Sequence, residues 1–93
     1  MVYKMNFMDF CLGILTLSSR FEFSVISWFR SLPHNIAVGG SLNSFHLFGM
    51  GVDVILDRFE DQDDFIYRAQ GLGFRVINEK DHLHLQPEVQ NAA

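Results

Sequence analysis

The segment that most constrains this chain is Phe21 to Phe29 (FEFSVISWF), where β-branched and aromatic residues crowd together. Such a run reads as a strand. Ser31-Leu-Pro-His-Asn35 ends it, because Pro33 cannot continue a central ladder. A strand needs partners, and three later segments offer them: Gly51 to Leu56 (GVDVIL), Phe74 to Ile77, and His82 to Leu85, the last two flanking the polar turn Asn78-Glu-Lys-Asp81. Two helices are predicted around these strands. From Met5 to Leu17, Phe7, Phe10, Cys11, Ile14 and Leu15 fall at helical spacing with Lys4 and Asp9 off that face, and Gly13 weakens the pattern. Phe65 to Gln70 forms the second, with acid at its favourable N-terminal end and Gly71 and Gly73 to stop it. Val38 to Ser44 reads as a glycine-containing loop, and the tail from Pro87 as frayed. The order helix, strand, long loop, strand, helix, hairpin predicts an α+β fold with a small, mainly antiparallel sheet and flanking helices.

Ninety-three residues suit one domain, 1–93, with an N-terminal helical part (1–20), a core (21–87) and a tail (88–93). Ten phenylalanines can fill its interior, yet a domain this short has a thin stability margin that a bound metal would widen. A formal charge of −4 without a basic stripe argues against nucleic acid as a partner. The apolar run Phe10 to Leu17 is far shorter than a membrane span, and no small-x-small cleavage pattern follows it, so neither a span nor a signal peptide is expected. Nothing in the sequence calls for an oligomer, and a monomer is expected. Cys11 is the single cysteine, which removes internal disulfides and thiolate zinc sites; any metal must be held by histidine and carboxylate. The acidic cluster Glu60, Asp61, Asp63 and Asp64 lacks the spacing of a calcium loop and reads as a solvated helix start.

Three segments carry the groups suited to chemistry: Ser44-Phe-His46, Gly49-Met-Gly-Val-Asp53 and Asp81-His-Leu-His84. A catalytic zinc site takes three His or carboxylate ligands and leaves a position for water. Glycines at 49 and 51 would let the chain carrying His46 approach the strand carrying Asp53. On that strand Asp53 shares a face with Gly51 and Ile55, while Val52 and Val54 point to the core. In the last strand His82 and His84 share one face and Leu83 and Leu85 the other, so either histidine can complete the site. Asp81, at the turn, can stand near the metal and accept a proton.

Ser44-Phe-His46-Leu-Phe-Gly49-Met-Gly-Val-Asp53 resembles the Ser-x-His-x-x-Gly-x-Ala-x-Asp signature of the zinc D-Ala-D-Ala carboxypeptidase family, which includes phage and bacterial L-Ala-D-Glu endopeptidases and has the Hedgehog/DD-peptidase fold. Upstream, Ser27-Trp-Phe-Arg30-Ser resembles the family's Ser-Gly-Tyr-Arg-Ser strand, and Asn35-Ile-Ala-Val-Gly-Gly-Ser-Leu-Asn-Ser44 its approach to the first ligand. Downstream, Leu72-Gly-Phe-Arg-Val-Ile77 and Asp81-His-Leu-His84 resemble the strand and the acid-x-x-His motif that close the site; the resemblance spans roughly residues 21 to 87. It implies that His46, Asp53 and His84 bind zinc, that Asp81 is the general base, that Arg30 holds a substrate carboxylate or developing oxyanion, and that Ser44 hydrogen-bonds substrate or braces the site. The substrate it implies is a peptidoglycan stem or cross-bridge peptide; with no signal peptide expected, a substrate outside the cytoplasm fits a phage or prophage protein that stays in the cytoplasm until release or belongs to a virion. Three departures stand out: Gly51 replaces the usual Ala and is expected to loosen packing, His82 stands where many members carry an aromatic residue, and the N-terminal region is short. The alternative is a non-catalytic module for binding or virion assembly that keeps the fold.

Overall fold

The computed structural model describes residues 2–3, 5–40 and 44–90. Its elements, in order, are β1 (Val2–Tyr3), α1 (Phe7–Ser18), β2 (Phe23–Ser27), α2 (Leu32–Ala37), a 3₁₀ turn (Phe45–Phe48), β3 (Val52–Leu56), a second 3₁₀ turn (Phe59–Asp61), α3 (Gln62–Gly71), β4 (Phe74–Asn78), β5 (Leu83–Pro87) and β6 (Val89–Gln90). Strands β2, β3, β5 and β4 form, in that order, a four-stranded sheet in which every neighbouring pair is antiparallel. The expected α+β architecture is therefore present.

One face of the sheet is the core. Val52 and Val54 of β3 and Leu83 and Leu85 of β5 are buried there, as strand alternation requires, against Phe10, Ile14 and Leu17 of α1 and Phe65 and Ala69 of α3. Phe74 of β4 meets Phe10 edge-on with ring centroids 5.3 Å apart, and Phe65 meets Phe21 in the same way at 5.3 Å. The opposite face of β3 and β5 is left for the polar residues considered below.

Strand ends shift by up to two residues, with β2 confined to Phe23–Ser27 and β5 running on to Pro87, and four further elements differ from the sequence expectation. Helix α1 begins two residues later than expected, because Asn6 and Asp9 form a reciprocal capping box (Asp9 N–H to Asn6 Oδ1, 2.8 Å). Its buried face is also rotated: Phe10, Gly13, Ile14 and Leu17 turn inward, whereas Phe7 and Leu15 are exposed. Gly13 decides the rotation, since a Cβ there would stand 2.6 Å from the Phe74 ring, and only glycine lets the helix lie this close to β4. Second, Leu32 to Ala37 is a short helix, not only a strand break; Ser31 Oγ accepts the N–H of His34, and Pro33 sits in the first turn, where its missing N–H costs nothing. Third, α3 starts at Gln62, three residues early, and takes Asp63 and Asp64 into its first turn. Fourth, the tail does not simply fray after Pro87: Val89 and Gln90 pair with Tyr3 and Val2 as a two-stranded ribbon. Two-residue strands carry too few residues to show a period, so no sequence pattern marks them. Residues 41–43 of the predicted loop and Lys4 lie outside the described residues. Among the described residues no helix is long and apolar enough to cross a membrane.

Candidate metal centre

The sheet register brings two of the residues together. Asp53 of β3 is directly opposite His84 of β5, and Ser27 of β2 is opposite Asp53 on its other side. Directly opposite residues project from the same face, so Asp53 and His84 meet with Nδ1 of the ring 2.8 Å from Oδ1 of the carboxylate. His46 arrives from the 3₁₀ turn after Ser44, whose Oγ accepts the His46 N–H at 3.2 Å. Gly49 ends that turn at φ 71°, a left-handed conformation that favours glycine. The chain then folds back so closely that a Cβ on Gly51 would lie 2.9 Å from the His46 nitrogen. Gly51 is thus fitted to this approach; an alanine here would crowd the His46 turn, and the expectation that glycine loosens the packing is corrected.

The end of β2 is laced to the same turn. Trp28 donates its indole N–H to the Gly49 carbonyl at 2.6 Å, and Arg30 N–H donates to the His46 carbonyl at 3.0 Å. These bonds carry His46 Nε2 to 3.2 Å from Asp53 Oδ2. The ligand atoms of His46, Asp53 and His84 lie within 4.8 Å of one another, the group among the described residues able to hold a metal ion. His46 and Asp53 are buried, at 3 % and 5 % exposure, and His84 is half-buried.

The outer ring nitrogens fix which tautomer each histidine presents. His46 Nδ1 is 2.7 Å from the Trp28 backbone oxygen, which can only accept, so Nδ1 carries the hydrogen and Nε2 turns inward. His84 Nε2 donates to Gln86 Oε1 at 2.8 Å, so Nδ1 turns inward. Both inward nitrogens therefore face carboxylate oxygens that also only accept. The conflict is resolved by a proton on the inner nitrogen or by a cation between the groups. In the ion-free chain burial raises Asp53, but hydrogen bonds and charge from His46 and His84 outweigh it and hold the carboxyl well below its usual range. Burial lowers His84, and the hydrogen bonds to Asp53 and Gln86 with the Asp53 charge overcome it and raise the imidazole above its usual value. Two imidazoles and one carboxylate, each ring with its outer nitrogen already satisfied, form a donor set able to hold a metal ion.

Around this centre is an open cavity of about 300 Å³ lined by Arg30, Ser44, His46, Asp53, Ile77, Glu79, His82 and His84. Arg30 lines it while donating from Nη2 to Asp53 Oδ2 at 3.3 Å. His82 points its Nε2 to 3.8 Å from Asp53 Oδ1. Asp81 is strongly exposed and does not line the cavity; its carboxylate accepts from His82 Nδ1 at 2.7 Å. The sequence reading missed the Trp28 carbonyl and Gln86, and gave Asn35 no role beyond its place in the motif. A signal for Gln86 existed, since two residues along a strand from His84 it must share that histidine's face.

No family model, no curated protein and no solved structure matches this chain.

Proposed function

We propose that this chain is a zinc metallopeptidase of the Hedgehog/DD-peptidase kind that hydrolyses stem or cross-bridge peptides of peptidoglycan. The observation that carries the metal part is the pair of outer hydrogen bonds, from His46 to the Trp28 carbonyl and from His84 to Gln86, which turn both free imidazole nitrogens onto Asp53. A cation held between the groups would satisfy both inward nitrogens and the carboxylate at once. The peptide and cell-wall part is supported by the motif resemblance over residues 21 to 87.

When bound by His46, Asp53 and His84, zinc would supply Lewis-acid polarisation of a carbonyl and an activated water. The chain's own residues do the rest. Arg30 faces the cavity with a rigid, planar donor group suited to a substrate carboxylate or developing oxyanion. Asp81 and His82 form the proton-accepting pair: Asp81 holds Nδ1–H of the ring, and His82 Nε2 faces the centre. Ser44 caps the His46 turn and so braces the first ligand.

The test is to incubate purified zinc-loaded protein with purified peptidoglycan and identify freed termini by mass spectrometry. New peptide termini that disappear on chelation are expected. Full zinc occupancy without any cleavage would refute the peptidase reading and favour a binding or assembly module.

A further inference from the structure

We propose that Asn35 is a positioning residue, which fixes the Arg30 guanidinium against Asp53 and thereby holds the third donor of the metal centre in line with the two imidazoles. The proposal rests on the metal-centre reading above.

A guanidinium offers five N–H donors on one plane. In Arg30 three nitrogens are engaged by three separate elements: Nε by Ser27 Oγ of β2 at 3.2 Å, Nη1 by Asn35 Oδ1 of α2 at 3.3 Å, and Nη2 by Asp53 Oδ2 of β3 at 3.3 Å. Three attachment points fix the plane. Ser27 and Asp53 stand side by side in the sheet, and both bind the group from there. Asn35 is the anchor that comes from outside the sheet, and without it the guanidinium can pivot about the other two.

The surroundings of Asn35 are arranged for this amide. It is wholly buried although it lies in a six-residue helix. Burying an amide is unfavourable unless hydrogen bonds replace water, so its place in the interior is explained by what it binds. Gly40 folds back onto it, its N–H donating to the Asn35 carbonyl at 2.8 Å. A Cβ on Gly40 would overlap Asn35 Oδ1, the very atom that receives Arg30. The three bonds leave two of the five guanidinium N–H groups for the cavity that Arg30 lines, so one anchor serves both the metal ligand and the substrate end of the arginine.

Replacing Asn35 by Leu keeps the Arg30 charge and removes the Oδ1 acceptor that aims it, along with the other interactions of the amide. Zinc affinity, measured by competition with a chromophoric chelator, should fall about tenfold, the lower end of what loss of an outer partner of a metal ligand costs. Asn35→Asp, which keeps the acceptor, should stay close to wild type. The comparison is repeated in an Arg30→Met background, where Asn35→Leu should change affinity less than about twofold, because the two residues act as one unit. In zinc-free, ¹⁵N-labelled protein the Arg30 Nε–H resonance should be sharp in wild type and Asn35→Asp and broadened in Asn35→Leu. If Asn35→Leu does not fold, Gly40→Ala, which pushes on Oδ1, takes its place with the same expected losses. An equal fall in both backgrounds, or unchanged affinity with an unchanged Nε–H signal, would overturn the proposal. Failure of the wild type to bind zinc would instead overturn the metal-centre reading, and this role of Asn35 with it.

Discussion

Gln86→Leu is the most direct perturbation of the centre that leaves all three ligands in place. Gln86 Oε1 accepts from His84 Nε2 at 2.8 Å in a half-buried setting. Leucine has similar bulk and no acceptor, so Nε2–H loses its partner and the ring is free to move its hydrogen to Nδ1, the nitrogen that faces Asp53. The hydrogen bond alone is worth about 1 kcal/mol net, roughly a fivefold change in binding at about 1.4 kcal/mol per decade. Loss of tautomer and ring orientation adds to it, so zinc affinity should fall about 10- to 100-fold, as for other outer partners of ligating histidines. Gln86→Glu supplies a charged acceptor and a stronger bond, so its affinity should equal or exceed wild type. The assay is competitive zinc titration of the three proteins, with thermal melting of the zinc-free forms to separate folding from binding. Affinity of Gln86→Leu within about twofold of wild type, below the roughly fivefold the bond alone would give, would refute the claim that Gln86 sets the tautomer. So would an equal loss in Gln86→Glu.

Gly13→Ala sets two effects against each other: helix propensity gains about 1 kcal/mol, while overpacking against the buried Phe74 ring costs about 1–3 kcal/mol. The ring lies 2.6 Å from the new Cβ and is itself 1 % exposed, so the clash should win and the melting temperature should fall; a rise would show that α1 does not lie this close to β4. Asp81→Asn should lower peptide turnover by about 100-fold or more with zinc content unchanged. His82→Phe should do the same, and a normal rate in His82→Phe alone would show that Asp81 reaches the reacting groups without the ring. In zinc-free protein Asp53, held below its ordinary value of 3.8, stabilises the fold above that pH and stops doing so as acid titrates it, while His84, raised above its ordinary 6.5, stabilises it below 6.5 and stops as pH rises through its raised value. Zinc-free stability should therefore peak between these limits, and the stabilisation that added zinc gives should grow from mildly acid to mildly basic pH, because protons compete for the ligands; thermal melts across pH that showed zinc helping most in acid would refute this.

How much of this was legible in the sequence depends on the range of the interaction. Alternation is local, so Val52 and Val54 against Asp53, and Leu83 and Leu85 against His84, could be assigned to opposite faces from sequence, and the structure places them so. The rotation of α1 could not, because it is set by Phe74, sixty-one residues beyond Gly13, and the sequence shows only that a glycine interrupts the helix. The place of Asp81 was legible only in part: its spacing from His84 suggested a group at the metal, whereas the turn before β5 sends its side chain outward onto His82. The Trp28 carbonyl was invisible for a plainer reason. Every residue has one, and only the approach of the segment after β2 to the His46 ring gives this one a role.

The register of the sheet ties the core and the candidate centre into one specification. Strand side chains alternate with a period of two, so a slip of β5 by one residue would turn His84 into the core and bring a leucine out beside Asp53. Burial of Leu83, Leu85 and Pro87 on one face therefore selects the pairing of His84 with Asp53 on the other, and no separate interaction is needed to align them. On the other side of β3 the same logic fails by one residue. Val25 pairs with Val54, which in a regular ladder would bring Ile26 opposite Asp53, but an irregularity between Val25 and Ser27 puts Ser27 there instead. A bulge inserts one residue and re-aims the side chains that follow. Here it leaves Ile26 exposed and gives Arg30 Nε its hydroxyl acceptor next to the carboxylate that Arg30 also binds. Apolar alternation places the histidine, and a single break in alternation places the serine that steadies the arginine.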